Sequence, residues 1–294
     1  MRILLLGKYG QLGWELQRTL ATLGQLFSYD FPEIDLRNQD QIHRLLRDSR
    51  PEVIINATAY TAVDKAESEE DIAMMVNADA AGLLAQEALD MDAALIHYST
   101  DYVFDGTKSN PYVENDTPNP LGAYGRSKLA GEQAIQQTGG AYLILRTSWV
   151  YSLRRDSFVT KVLNWSRGQR QLRVVSDQVS NPTWARMLAE ITSQMLARAE
   201  ANPVGWLRER SGLYHLAGSG YTSRYKWAQA ILKYDPKSDQ QIVEDLTPAA
   251  TDDFPTPAKR PLFTALNCDL FTKTFKLSLP EWEVALQLAM AQDL

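Results

Sequence analysis

A single cysteine, Cys268, rules out an intramolecular disulfide framework, so the fold must rest on an ordinary core and suits a reducing compartment. Histidine is nearly as scarce. His43, His97 and His215 lie far apart and beside no other metal-type ligand, so all three read as structural. The net charge is −6 and no basic run is long, which argues against a nucleic-acid surface and means that an anionic ligand needs local positive groups. Long apolar runs are missing too. The run from Ile3 to Leu6 stops at Gly7, too short for a signal-peptide core or a membrane span, so a cytoplasmic protein without membrane contact is expected. No repeat or low-complexity tract is visible. What the chain does have is length, 294 residues with 45% hydrophobic content, enough for one large domain or two unequal ones.

The first half alternates strand and helix. Ile3 to Leu6 reads as a buried strand running into Gly7-Lys-Tyr-Gly10-Gln-Leu-Gly13 and then a helical pattern. Glycines there permit a tight turn and close backbone approach to a pyrophosphate, whose charge the free N–H groups of the helix start can hold. The spacing is G-x-x-G-x-x-G rather than the commoner G-x-G-x-x-G. Leu26 to Tyr29 reads as a second strand ending at Asp30, an acid that either bonds a ribose 2′-hydroxyl or sits solvated in a loop. Asp35 and Leu36 precede a capped helix that Pro51 closes, and Val53 to Thr58 reads as strand three. A long helix follows and carries Asn77, for which a surface position is the better expectation. This rhythm predicts a Rossmann-type doubly wound parallel sheet.

The stretch from Ser99 to Lys128 reads as the chemical centre. Ala93 to Tyr98 has the pattern of a buried parallel strand, which puts Thr100 at its carboxyl end, where ligands bind in open α/β sheets. Tyr124 and Lys128 are four apart at the opening of a helix and so share a face. A lysine ammonium beside a phenol would lower its pKa from about 10 by roughly 1 to 3 units. Tyr142 to Tyr151 reads as one further strand whose end, with Trp149, faces the same crevice. Beyond it the rhythm becomes irregular. Residues 1–150 are therefore expected to form the NAD(P)-binding domain, with segments near 180–218 returning to it, and 151–294 a smaller, mainly substrate-binding α+β region. The proline-rich stretch from Thr247 to Pro261 should be an irregular surface loop, with Arg260 either gripping a phosphate or solvated.

Taken together, GKYGQLGWEL, NATAYTAVDKAE, HYSTDYVFDG, YGRSKLAGE, RTSWVY and NPTWARMLAE resemble the extended short-chain dehydrogenases and, within them, the dTDP-4-dehydrorhamnose reductase family. The likeness covers essentially the whole chain. It implies Thr100, Tyr124 and Lys128 as the catalytic set. Cofactor contacts are implied for Gly7, Gly10, Gln11, Leu12, Gly13, Asp30, Asp35, Leu36, Ala57, Thr58 and Tyr60, besides Tyr124 and Lys128. Substrate contacts are implied for Thr100, Asp101, Tyr102 and Trp149. Glu15 and Glu190 match acids that some members link to magnesium at a homodimer contact, or are plain surface glutamates. Thr58, where many members have alanine, and the SLRRDS segment after Tyr151 depart from the family pattern without touching the catalytic set.

The resemblance implies NADPH-dependent reduction, with NADH also usable, of the C4 keto group of a dTDP-4-keto-6-deoxyhexose to give dTDP-L-rhamnose. Two alternatives stand beside it. One is an epimerase or dehydratase of the same scaffold, although Tyr102 stands where a dehydratase usually adds an acid. The other is a non-catalytic regulatory subunit, against which the complete catalytic set argues.

Overall fold

The computed structural model describes residues 1–199 and 202–291. Strands β1 (Arg2–Leu6), β2 (Gln25–Tyr29), β3 (Val53–Asn56), β4 (Ala94–Thr100), β5 (Ala141–Thr147) and β6 (Gly212–His215) form one sheet in the order β6-β5-β4-β3-β1-β2. Every neighbouring pair is parallel. Strand order reverses at β1, which lies between β2 and β3, and the ends of β1, β3 and β4 there open onto a crevice.

Parallel strands need both faces covered, and their sequences show it. In β1, Ile3 and Leu5 face one hydrophobic cluster while Leu4 and Leu6 face the other. Burying each such side chain contributes about 1.5 to 3 kcal/mol. The first cluster is closed by helices α1 (Gln11–Leu20) and α6 (Ala185–Ala197), which pack on each other, and the second by α2 (Gln39–Ser49), α3 (Ala80–Asp90) and α4 (Ala123–Thr138). A third cluster stands apart from the sheet. It joins Tyr151, α5 (Phe158–Gly168), α7 (Arg224–Lys233) and α9 (Trp282–Met290), while α8 (Asp269–Phe275) packs beside β6. No helix among the described residues is long and apolar enough to cross a membrane.

Three local expectations need correction. The strand read as Tyr142 to Tyr151 breaks after Thr147, because Trp149 takes φ +40° and turns the chain. Val150–Tyr151 then pairs with Thr183–Trp184. The proline-rich stretch is not wholly irregular, since Asp245–Ala249 pairs in parallel with Gln171–Val175, and Pro248 is tolerated in this two-stranded edge pairing. Asn77 is not a surface residue. It lies in a π-turn, Met75–Asp79, 1% exposed, where its amide accepts from Tyr60 N–H (2.8 Å) and donates to Tyr60 O (3.2 Å) and Ser127 Oγ (2.9 Å). Gly131 of α4 makes that approach possible, for a Cβ there would sit 2.1 Å from the Asn77 carbonyl oxygen.

Candidate active site

A cleft of about 740 Å³ opens at the carboxyl ends of β1, β3, β4 and β5. The glycine turn forms one wall. Gly7 takes φ +94°, and a Cβ on Gly13 would fall 1.9 Å from the Gly7 carbonyl oxygen, so helix and turn meet at a distance only glycine allows. Gly10 caps α1 without any side-chain bond, which leaves the amides of the helix start free toward the cleft. Gln11 and Leu12 line it beside them. This cradle fits the pyrophosphate of a dinucleotide.

At the end of β2, Asp30 lines the cleft. Its carboxylate accepts from the backbone N–H of Tyr9 (2.9 Å) and of Phe31 (2.8 Å), so its orientation is fixed. Lys8, beside Tyr9 in the chain, is already matched by Glu33 (2.6 Å), and Arg37 farther on by Asp35 (2.6 Å). Asp35, Leu36 and Tyr60, expected at the cofactor, stand outside the lining. Asp35 is committed to Arg37, Leu36 is buried in the core beside α2, and the Tyr60 hydroxyl donates to Glu69. Ala57 and Thr58 do line the cleft.

Thr100, Asp101, Tyr102, Tyr124, Lys128 and Trp149 all come together on the opposite wall. Tyr124 and Lys128 project from one face of α4, but they are not bonded to each other. Lys128 Nζ instead donates to the Tyr98 carbonyl at 2.7 Å and lies 3.0 Å from His97 Nε2. The phenol is therefore not lowered as the spacing suggested; burial raises it, with the Thr100 hydroxyl beside it as the opposing influence. Burial also pushes the Lys128 ammonium down to about 8, against the pull of Glu132. His97, read as merely structural, thus touches Lys128, one of the residues expected to be catalytic.

Asp101 is a buried acid in a cage of hydroxyls. Its carboxylate accepts from Ser180 (3.1 Å), Thr264 and Thr100 (3.3 Å), and burial pushes it up to about 6 despite those bonds. The far wall is aromatic and cationic. Trp149 stacks on Trp227 at 5.5 Å, and the Arg224 guanidinium lies 3.8 Å from the Trp149 ring centre, with Phe158 and Arg155 completing the rim. Arg155, Phe158, Arg224 and Trp227 carried no signal in the sequence, since the segment leading into α5, α5 itself and α7 reach the cleft only through tertiary packing. Arg260 pairs with Asp64 at 2.8 Å and stands outside the lining. Glu190 bonds Arg186 at 2.9 Å, Glu15 lies on α1, and no group of three or more metal-type ligands occurs among the described residues.

The RmlD substrate binding domain model matches residues 1–294. The chain belongs to that family. It is 40% identical over 299 aligned positions to the dTDP-4-dehydrorhamnose reductase of Burkholderia thailandensis, covering 99% of this chain and 98% of that one. It is likewise 40% identical over 292 positions to that of Escherichia coli K12, covering 98% and 96%. A solved dTDP-4-dehydrorhamnose reductase from Bacillus anthracis, in complex with NADP, superposes with a TM-score of 0.89 at 30% identity, covering 99% of each chain. One from Clostridium acetobutylicum gives the same score and coverage at 33% identity. A UDP-glucose 4-epimerase of Thermus thermophilus, 18% identical with a TM-score of 0.79, shares the fold.

Proposed function

We propose that the protein reduces the C4 keto group of dTDP-4-dehydro-L-rhamnose with NADPH, giving dTDP-L-rhamnose. The observation that carries this is the meeting of a glycine cradle and the Thr100, Tyr124, Lys128 set in one cleft, within a chain of the reductase family. Bound NADPH supplies the hydride. Gly7, Gly10 and the start of α1 would hold its pyrophosphate, and Lys128, which lines the same cleft, would bond its nicotinamide ribose. Thr100 orients the carbonyl oxygen: its Oγ is held by accepting from Tyr102 N–H at 3.2 Å, and its one hydroxyl proton, given to Asp101 at 3.3 Å in the free protein, turns to the substrate oxygen when substrate binds. Tyr124 gives the proton. Because burial keeps its phenol loaded at neutral pH, the donor is always ready, and a forming secondary alkoxide is a stronger base than phenolate, so the transfer runs downhill.

The third hydrophobic cluster, with Trp149, Arg224 and Phe158 at its edge, serves in this reading as the substrate region. Its stacked indoles suit the thymine ring and Arg224 the diphosphate. The test is direct. Purified protein should oxidise NADPH on addition of the dTDP-keto-sugar; product that keeps the keto group, or is epimerised without net oxidation of cofactor, would overturn it.

A further inference from the structure

A polar chain runs behind Lys128, from β3 across β4 to α4. Asn56 and His97 are register partners on β3 and β4, and both are buried. The Thr58 backbone N–H, which can only donate, meets Asn56 Oδ1 at 3.1 Å and so fixes which way the amide points. Asn56 Nδ2 then faces His97 Nδ1 at 3.1 Å. An imidazole nitrogen that meets an N–H must accept. His97 therefore carries its proton on Nε2, and burial together with the Lys128 charge keeps the ring neutral, holding its pKa well below the usual value.

That Nε2–H points at Lys128 Nζ, 3.0 Å away. The contact is satisfied when Nζ is an amine offering its lone pair while still donating to the Tyr98 carbonyl. An ammonium would leave two N–H groups facing each other, or force the proton onto Nδ1 against the Asn56 amide. Resting on the reductase reading, we propose that Asn56 and His97 are positioning residues that keep Lys128 in exchange between amine and ammonium, rather than as a permanent cation. Lys128 can then take up and return a proton beside Tyr124 during turnover.

The other charged and titratable groups around Lys128 leave this balance in place. On its own helix Tyr124 lies one turn before it and Glu132 one turn after. Glu132 is held by Arg146 of β5 and accepts from Ser99 of β4. The rest of the cleft lining adds Asp30, Asp101, Arg155, Asp156 and Arg224. Among the described residues only His97 puts a ring nitrogen against Nζ.

The experiment reverses one hydrogen bond. Asn56→Asp keeps the size and still accepts from Thr58 N–H, but it turns the group facing Nδ1 from donor to acceptor. The His97 proton should move to Nδ1, Nε2 should accept from the ammonium, and the alkaline limb of kcat/KM should shift upward by about one pH unit or more. The added carboxylate charge by itself also raises Lys128, so the limb shift supports the proposal only together with an Nδ1–H ring for His97 in the variant, and a shift with the Nε2–H ring retained would overturn it. The tautomer is read separately, by 15N spectra of histidine-labelled wild-type protein, which need neither substrate nor variant. A neutral Nε2–H ring for His97 at neutral pH is the expected result. An Nδ1–H ring or an imidazolium there would overturn the proposal, as would a switched tautomer with an unmoved limb. Absence of keto-sugar turnover in the wild type would fell the reductase reading instead, with the tautomer still deciding this one.

Discussion

Glu132 of α4 and Arg146 of β5 form a two-pronged pair, Nε to Oε1 at 2.9 Å and Nη2 to Oε2 at 2.6 Å, with both side chains at most 2% exposed. The pair ties α4 to the sheet directly behind Ser99. Removing one partner strands the other charge in the interior, so Arg146→Leu should cost about 3 to 5 kcal/mol. The double variant Glu132→Leu/Arg146→Leu should lose clearly less than the sum of the two single changes. Urea unfolding of the four proteins measures this, and strict additivity would show that the pair is not coupled.

Tyr124→Phe should lower turnover by about 10² to 10⁴-fold while leaving NADPH binding nearly intact, since only the hydroxyl is deleted. Lys128→Met should weaken both. Steady-state rates with a fluorescence titration of NADPH separate the two effects. A Tyr124→Phe protein reducing the keto-sugar at the wild-type rate would place the proton source elsewhere.

Gly13→Ala should destabilise the protein by about 1 to 3 kcal/mol or more and weaken NADPH binding about tenfold, because its Cβ would strike the Gly7 carbonyl at 1.9 Å. Gly168→Ala is the matched control, with nothing within 4 Å of the new methyl. Thermal melts with and without NADPH compare them.

Asp101 gives a pH signature. Its folded pKa, about 6, lies above the ordinary carboxylate value of 3.8, so the native state binds more protons than the unfolded chain between those limits. The group's contribution to stability is therefore full below about pH 4 and is lost as pH rises through 6, by roughly 3 kcal/mol. Asp101→Asn should flatten this part of the curve. Unfolding free energies of wild type and variant at pH 4.5 and 7.5 give the comparison, and parallel curves would sink the assignment.

Both nicotinamide cofactors should work. Asp30 presents a fixed carboxylate suited to a free 2′-hydroxyl, while Lys8, next in the chain to the Tyr9 whose N–H holds that carboxylate, offers a 2′-phosphate a cation, though one paired with Glu33. Asp30→Ala should move the preference toward NADPH. Saturation curves for the two cofactors decide it, and a wild type that does not oxidise NADPH at millimolar concentration would contradict the expectation.

The sequence alone determined the doubly wound sheet, because parallel strands buried on both faces must read as short apolar runs, and it determined the glycine turn, because only glycine fits where α1 meets β1. It also placed Thr100, Tyr124 and Lys128, since a strand end and an i, i+4 spacing are local geometry. What surrounds those residues was decided by tertiary structure. Burial, which no spacing reveals, raised the Tyr124 phenol that a neighbouring lysine was expected to lower. Pairing between β3 and β4 brought Asn56 and His97 against Lys128, and the chain's return through Ser180 and Thr264 built the cage around Asp101. Arg224 and Trp227 reached the cleft because α7 packs on α5, a contact between residues some sixty positions apart that leaves no periodic trace in the sequence.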